Sequence, residues 1–238
     1  MQFAGTIGRR TQIFIGILAL CAICVVFAGF ARTYYLNPFF AHRTLTSLLH
    51  VHGAICSAWF LLFLAQIVLV AKGRTDLHRR LGVWGFALAC IIVLLGLAVA
   101  IHAAKLGSFA IPPGISPLAF LAIPFFDVVV FGTLVTAGLI YRRKPQVHKR
   151  LMVLSTLSIL TPAVVRIPLH FIQAGGVVGA FALADLLALI YIAYDTLTHK
   201  RLHPACVWAG ILIVLSAPFR IGIANTGPWL AFAQWLTQ

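Results

Sequence analysis

The sequence predicts an all-α protein that crosses a lipid bilayer several times. Of its 238 residues, 62% are hydrophobic and only 9% are charged, and the mean hydropathy is +1.04. Soluble domains carry about 25% charged residues. Apolar runs of about 20 residues recur along the chain, and each is long enough to cross a hydrocarbon core of about 30 Å as a helix. Composition, hydropathy and these runs together exclude a soluble globular domain.

Seven apolar runs predict seven transmembrane helices in a single domain, residues 1–238. Although Arg9 and Arg10 precede the first run as in a signal peptide, the run is longer than the apolar region of a signal peptide, so we interpret it as a retained helix. The prolines inside later runs, Pro162, Pro168 and Pro218, are expected only to kink their helices. The approximate bounds of the runs are 12–30, 48–71, 81–104, 118–141, 151–172, 176–196 and 205–224.

Lysines and arginines cluster in the turns at one side of the predicted bundle. Thirteen fall on that side, and three, Arg32, Arg43 and Lys105, fall on the other. Because cytoplasmic loops are enriched in these residues, this asymmetry predicts a cytoplasmic N-terminus and an outer C-terminus. The clusters also account for the net charge of +14, so we expect no nucleic-acid partner. The aromatic tail after Gly227 predicts a short helix along the outer interface.

A repeated phrase marks the predicted cytoplasmic turns. "LHRRLG" begins at Leu77, "VHKRLM" begins at Val147, and a weaker copy, "HKRLHPACVW", begins at His199. His78, His148 and His203 each stand where an outward-going helix is predicted to begin. The phrase therefore predicts one leading helix followed by three related hairpins, 2–3, 4–5 and 6–7. These histidines are interpreted either as interface residues beside lipid headgroups or as ligands on the cytoplasmic side.

Four charged residues fall inside the predicted spans, where each charge costs about 2.5–3.5 kcal/mol. They are Asp127, Asp185, Arg166 and Arg220, and a helical rise of 1.5 Å per residue places them about 17–24 Å from the inner turns. Helical side chains lean toward their own N-terminus, so both arginines are expected to lean back toward the aspartates. The four groups are predicted either to pair and fix the packing of the hairpins or to bind an anion such as a carboxylate, phosphate or haem propionate.

A layer of histidines is predicted further out. His52, His102 and His170 come from three spans and lie about 28–33 Å from the inner turns. His52 shares a helix face with Trp59 and Gln66, at steps of seven residues. Imidazole nitrogen is a common ligand of zinc, copper, iron and haem. The layer therefore predicts a metal or haem site in the outer half of the membrane. A proton-linked or substrate site without metal and a purely structural role are the alternatives.

The stretch "HVHGAICSAWFLLFLAQIVLVAKGRTDLHRRLGVWG" resembles the start of cytochrome b561-like cores, in which one helix opens with His-Gly and another histidine lies at a later hairpin. The turn phrases also resemble loop motifs of bacterial membrane proteins, some linked to terminal-oxidase assembly. The resemblance covers about residues 45–160. It implies haem pairs of His52 with His102 or His170 on the outer side, and of His78 with His148 on the inner side. The intramembrane Asp and Arg residues have no counterpart in that pattern.

These observations predict a bacterial inner-membrane protein with haem b or a transition metal (Fe, Cu or Zn) as cofactor. It would act in electron transfer, membrane redox chemistry or cofactor delivery to a respiratory complex. The alternatives are a small proton-coupled transporter that uses the Asp/Arg pairs, and an accessory subunit of a membrane complex; a homo-oligomer is also compatible. No catalytic motif assigns an enzyme reaction. In the cofactor hypothesis His52, His102 and His170 are the ligands, Arg166 and Arg220 balance its negative groups, and Asp127 and Asp185 lie behind them.

Overall fold

The structure, a computed structural model, describes residues 2–42, 44–107, 111 and 114–238, so Arg43 lies outside the described residues. The predicted all-α fold is confirmed, because the described residues form helices and turns and contain no strand. The elements in chain order are α1 (Gln2–Phe30), a π-helix (Ala31–Tyr35), α2 (Asn37–Phe40), α3 (Ser47–Ala71), α4 (Thr75–Leu106), α5 (Pro117–Phe120), α6 (Ala122–Ile140), α7 (Pro145–Ser158), α8 (Thr161–Val164), α9 (His170–His199), α10 (Pro204–Ile223) and α11 (Gly227–Leu236).

Helical segments long and apolar enough to cross a membrane account for six of the seven predicted runs. Large apolar side chains on them remain exposed, such as Leu94 at 68% and Trp208 at 73%, which is how a helix surface in contact with lipid looks. The protein is therefore a multi-pass membrane protein. In the described residues these segments are Gly8–Tyr35, Ser47–Ala71, Thr75–Leu106, Pro117–Ile140, His170–His199 and Pro204–Ile223.

The fifth predicted run, 151–172, is broken rather than kinked, so the expectation for Pro162 and Pro168 was wrong. Helix α7 ends at Ser158, and the short α8 follows after a two-residue gap. Pro162 has no N–H to donate to the carbonyl of Ser158, and its ring would collide with that carbonyl in a continuous helix. Pro168 disfavours helical dihedrals at the residue before it, and α9 starts two residues later, at His170.

Consecutive helices pack as the three predicted hairpins, α3 with α4, α6 with α7 and α9 with α10. His78 and His148 lie in the first turns of α4 and α7, and His203 is the N-cap of α10. We call the end of the bundle that carries these three histidines the inner end, and the opposite end, near Tyr35, the outer end. Which end faces the cytoplasm stays a prediction.

Helix α7 lies at the centre and contacts α6, α9 and α10. The short α8 follows it toward the outer end. At the inner end His148 of α7 meets His78, and near the outer end α8 packs against α1. A Cβ at Gly29 of α1 would collide with the backbone carbonyl of Ala163 in α8. Only glycine permits this approach, and the contact joins the first helix to the broken one.

The predicted tail helix is confirmed as α11, and it is packed onto α5. Trp229 is buried at 4% exposure, and its ring lies 5.6 Å from Phe125 and 5.7 Å from Phe126. Its indole N–H donates to the carbonyl of Leu118 at 3.0 Å. The tail therefore closes a second apolar core at the outer end of α4 and α6.

Candidate functional site

The inner end of the bundle brings His78 of α4 against His148 of α7. Their ring centroids are 6.3 Å apart and their planes are inclined by 78°. His148 Nδ1 lies 2.7 Å from the carbonyl oxygen of Gly138. Since a carbonyl can only accept, Nδ1 carries the proton, and Nε2 of the neutral ring is left as the acceptor nitrogen. His78 Nδ1 is buried without a hydrogen-bond partner among the described residues. Two imidazoles with uncommitted nitrogens therefore meet here.

Polar and aromatic side chains continue from this pair into the bundle along α3. Trp59 is buried at 3% exposure, and its indole N–H donates to Thr156 Oγ1 of α7 at 3.3 Å. The Trp59 ring meets Phe131 edge-on at 5.0 Å. Gln66 lies seven residues, two helical turns, nearer the inner end. Its amide oxygen is buried and has no partner in the described part of the chain. The face of α3 that sequence spacing singled out thus turns inward at both residues.

His52 continues that face toward the outer end and is half-buried. Its Nε2 lies 3.7 Å from the thiol of Cys56, one turn along the same helix. Arg166 lies close enough to His52 to interact with it electrostatically. A neighbouring guanidinium disfavours a metal cation at this imidazole, because like charges repel.

The structure does not gather His52, His102 and His170 into one metal site. Among the described residues, no group of three or more His, Cys, Asp or Glu side chains could hold a metal ion. His102 is half-buried on α4, whereas His170 is exposed at the start of α9. The break after Ser158 places His170 at the start of a new helix, α9, instead of near the outer end of a continuous fifth span.

Of the four charges predicted inside the spans, Asp127 and Arg220 form the expected ion pair. Arg220 Nη1 donates to Asp127 Oδ1, and the two residues are exposed by only 2% and 6%. The Arg220 guanidinium also lies 5.1 Å from the centre of the Phe181 ring. Asp185 is half-buried on α9 and near enough to interact with both charges. This group is a compact buried cluster between α6, α9 and α10.

Arg166 does not pair with an aspartate, so the expectation that both arginines lean toward the aspartates holds only for Arg220. The Arg166 guanidinium lies 5.0 Å from the centre of the Phe30 ring, and its Nη1 donates to the carbonyl of Pro162. Because α8 ends at Val164, Arg166 lies in the turn before α9 rather than on a continuous fifth helix.

A second buried ion pair escaped the sequence reasoning. Arg150 Nε donates to Asp195 Oδ2 at 2.7 Å, and both side chains are almost fully buried. Asp195 Oδ1 also lies 3.4 Å from His199 Nδ1. Arg150 is one of the thirteen cations that the sequence pattern assigns to the turns on one side of the bundle, and the pattern assigns no role to Asp195. The signal was present, because the chain has only four acidic residues and an acid on an apolar helix demands a partner.

No protein-family model matches the chain, and comparison with curated proteins and with solved structures also gives no match. The likeness to cytochrome b561-like cores therefore stays a prediction. Function has to be argued from the geometry of these sites.

Proposed function

We propose that this chain is an electron-transfer protein of the bacterial inner membrane that holds haem b between His78 and His148. The ring spacing of 6.3 Å carries the proposal. At this spacing one nitrogen of each imidazole could reach the same metal, so His78 and His148 would together hold the haem iron.

The donor set also fits such a cofactor. A hydrogen bond from one imidazole nitrogen to a backbone carbonyl is how proteins orient the other nitrogen toward a metal, and His148 makes this bond to Gly138. A buried polar atom without a partner costs about 1–3 kcal/mol, and ligation of the His78 ring would offset that cost. The adjacent cations Arg79, Arg80 and Lys149 suit the carboxylates of a haem. The haem would supply one-electron redox chemistry.

The test is to purify the full chain in mild detergent from iron-supplied cells, record its reduced-minus-oxidised visible spectrum, and measure iron, copper and zinc per chain. We expect about one haem iron per chain, lost in His78→Ala and in His148→Ala. His50→Ala is the matched control, because the His50 ring is exposed. The Tyr34 hydroxyl bonds to the backbone carbonyl of His50, which the substitution keeps.

Three results would change the proposal. Wild-type protein without metal after supplementation, or unaltered haem in both variants, contradicts it. Loss of haem in His52→Ala together with retention of haem in His148→Ala would place the cofactor in the outer half of the bundle instead. Copper or zinc in place of iron indicates a metal site without haem.

A second function, proton-coupled transport, is favoured by two interrupted helices in a bundle that also buries the Asp127–Arg220 pair. Helix α7 stops at Ser158, and α9 contains a non-helical residue, Gly176, with φ of 56°. Interrupted helices beside intramembrane charges are typical of transporters. In proteoliposomes with an internal pH dye, solute-dependent proton uptake that is lost in Asp127→Asn and kept in Asp76→Asn would place transport first. Asp76 is an exposed control.

A role as an accessory subunit is tested by co-purification at fixed stoichiometry.

A further inference from the structure

A cavity of about 750 Å³ opens at the outer end of the bundle, on the opposite side of the molecule from the His78–His148 pair. Four segments converge on it, and all except the end of α2 contribute polar side chains. The π-helix contributes Arg32 and Thr33, the segment after α8 contributes Arg166, and α9 contributes His170 and Gln173. Neither buried ion pair lines this cavity.

The charge of the cavity is one-sided. Among the described residues, its wall holds two guanidinium groups and an imidazole and no carboxylate. In the described part of the chain, none of the ion pairs involves Arg32 or Arg166. A guanidinium has five N–H donors, and the described hydrogen bond to Pro162 uses only one nitrogen of Arg166. Two cations on the wall of one cavity, Arg32 exposed and Arg166 half-buried, favour an anion that accepts several hydrogen bonds at once.

A buried hydroxyl group supports the same reading. Thr33 Oγ1 is buried and has no hydrogen-bond partner among the described residues. It belongs to the five-residue π-helix Ala31–Tyr35, a rare conformation that occurs mainly at functional sites. Thr33 lines the cavity, and a small rotation of its side chain would turn this hydroxyl toward an oxygen of a bound anion, which would accept its hydrogen bond.

The π-helix is held in place from its other side. Ser57 donates to the carbonyl of Gly53 at 2.7 Å, so the Tyr35 hydroxyl is the donor in its 2.6 Å bond to Ser57 Oγ. Tyr34 donates to the carbonyl of His50 at 3.0 Å. These two tyrosines anchor the segment to α3, which leaves Arg32 and Thr33 on the wall of the cavity.

Arg166 is fixed as firmly. The Gln173 amide donates to the carbonyls on both sides of it, to Val165 at 3.3 Å and to Ile167 at 3.0 Å. Phe30 supports the guanidinium from α1. A site whose donors are already ordered loses less entropy when it binds.

Apolar side chains at and beside the lining of the cavity are exposed, as on a helix surface that contacts lipid. Phe40 lines the cavity and is exposed by 54%, and Phe39, Leu169 and Phe171, which neighbour lining residues in the chain, are exposed by 78%, 47% and 68%. A free anion gains nothing from such a surface, whereas an anion on acyl chains buries apolar surface against it. We infer that this cavity binds a phosphate group, presented by the headgroup of an anionic phospholipid, through Arg32, Thr33 and Arg166.

The test counts phosphatidylglycerol molecules retained per chain by native mass spectrometry of the full protein in neutral detergent. Wild type should retain one lipid, and Arg32→Gln and Arg166→Gln should each bind it about tenfold more weakly or worse. Lys105→Gln is the matched control. It removes one positive charge near the same end, where Lys105 contacts only the backbone of Gln238 among the described bonds, and its lipid retention should equal that of wild type.

Inorganic phosphate is the second probe. If it competes with the lipid at millimolar concentration and binds alone in an Arg166-dependent way, the phosphate site stands but its source is soluble. Equal lipid retention in wild type, Arg32→Gln, Arg166→Gln and Lys105→Gln overturns the inference. Thr33→Val, which removes only the hydroxyl group, guards against misfolding of the arginine variants, and it should weaken retention while leaving the thermal midpoint unchanged. The haem proposal plays no part in this test.

Discussion

Asp127 and Arg220 illustrate how single residues set the stability of this protein. Asp127 Oδ2 and Arg220 Nε are buried without partners in the described part of the chain, so the pair is only partly satisfied. Removing one partner of a buried pair costs about 3–5 kcal/mol, because the other charge stays behind, whereas replacing both by apolar residues is often neutral. The packing of α6 on α10 therefore depends on having both charges or neither.

We predict that Asp127→Leu lowers the thermal midpoint in detergent far more than the double variant Asp127→Leu/Arg220→Met. The single change leaves Arg220 charged and unpaired, which costs about 3–5 kcal/mol, and the second change removes that charge. Differential scanning fluorimetry of the single and double variants provides the measurement. A double variant as unstable as the single one would show that the pair contributes more than charge balance.

His203 makes the stability of the protein depend on pH. Its Nδ1 accepts from the backbone N–H of Ala205 at 3.1 Å and so caps α10. Burial, followed by the nearby Arg150 charge, lowers the pKa of His203 below its usual value. A lowered pKa means that folding disfavours the protonated form. The associated stability is therefore complete above the unfolded pKa of about 6.5 and is lost as the pH falls below it.

We predict that His203→Asn flattens the fall in thermal midpoint between about pH 7 and pH 5, because asparagine caps a helix in either condition. The exposed His50→Asn serves as control and should keep the wild-type slope. The neighbouring groups Arg201, His199 and Asp195 are unchanged in both variants. Parallel slopes in wild type and His203→Asn would exclude the cap as a source of the pH dependence.

At the scale of the elements, Gly29 of α1 makes the closest approach to a neighbouring element among the described glycines, against the backbone of α8. We predict that Gly29→Ala destabilises the protein by about 1–3 kcal/mol or more, because the new methyl group meets backbone rather than a flexible side chain. Gly16→Ala on the same helix has open space around it and should be neutral or slightly stabilising. Thermal unfolding of both variants checks this. Equal midpoints would mean that α1 shifts away from α8 without cost.

Element by element, the sequence predicted well wherever hydrophobicity alone decides. The run 48–71 became Ser47–Ala71, since nothing in it competes with a helix. It failed at 151–172, because the prolines there break backbone hydrogen bonds that a hydropathy pattern does not represent. The same failure explains Arg166 and His170, whose predicted depth assumed one continuous helix. The pairing of Arg150 with Asp195 was missed because it depends on contact between α7 and α9, which spacing along one helix cannot predict.

For the whole molecule, the broken α7–α8 segment decides on which side the chain ends. Six crossings return the C-terminus to the side of the N-terminus, whereas a seventh through α7–α8 places it on the opposite side. We predict the latter. A fusion of alkaline phosphatase after Gln238 should be active and a fusion of green fluorescent protein dark, because only the outer side supports the phosphatase. The reverse pattern would mean that α7–α8 enters and leaves on the same side.

The contact of Gly29 with Ala163 also has a consequence for biogenesis. The two residues are 134 positions apart, and at a synthesis rate of about 5–20 residues per second the first helix waits roughly 7–27 s for its partner. Until then the surface around Gly29 has no protein partner from α8 and contacts either lipid or the insertion machinery that holds the nascent chain. The outer cavity, which needs residues from both ends of that interval, cannot form before Gln173 has been made, but its lining is complete before the residues of either buried ion pair are.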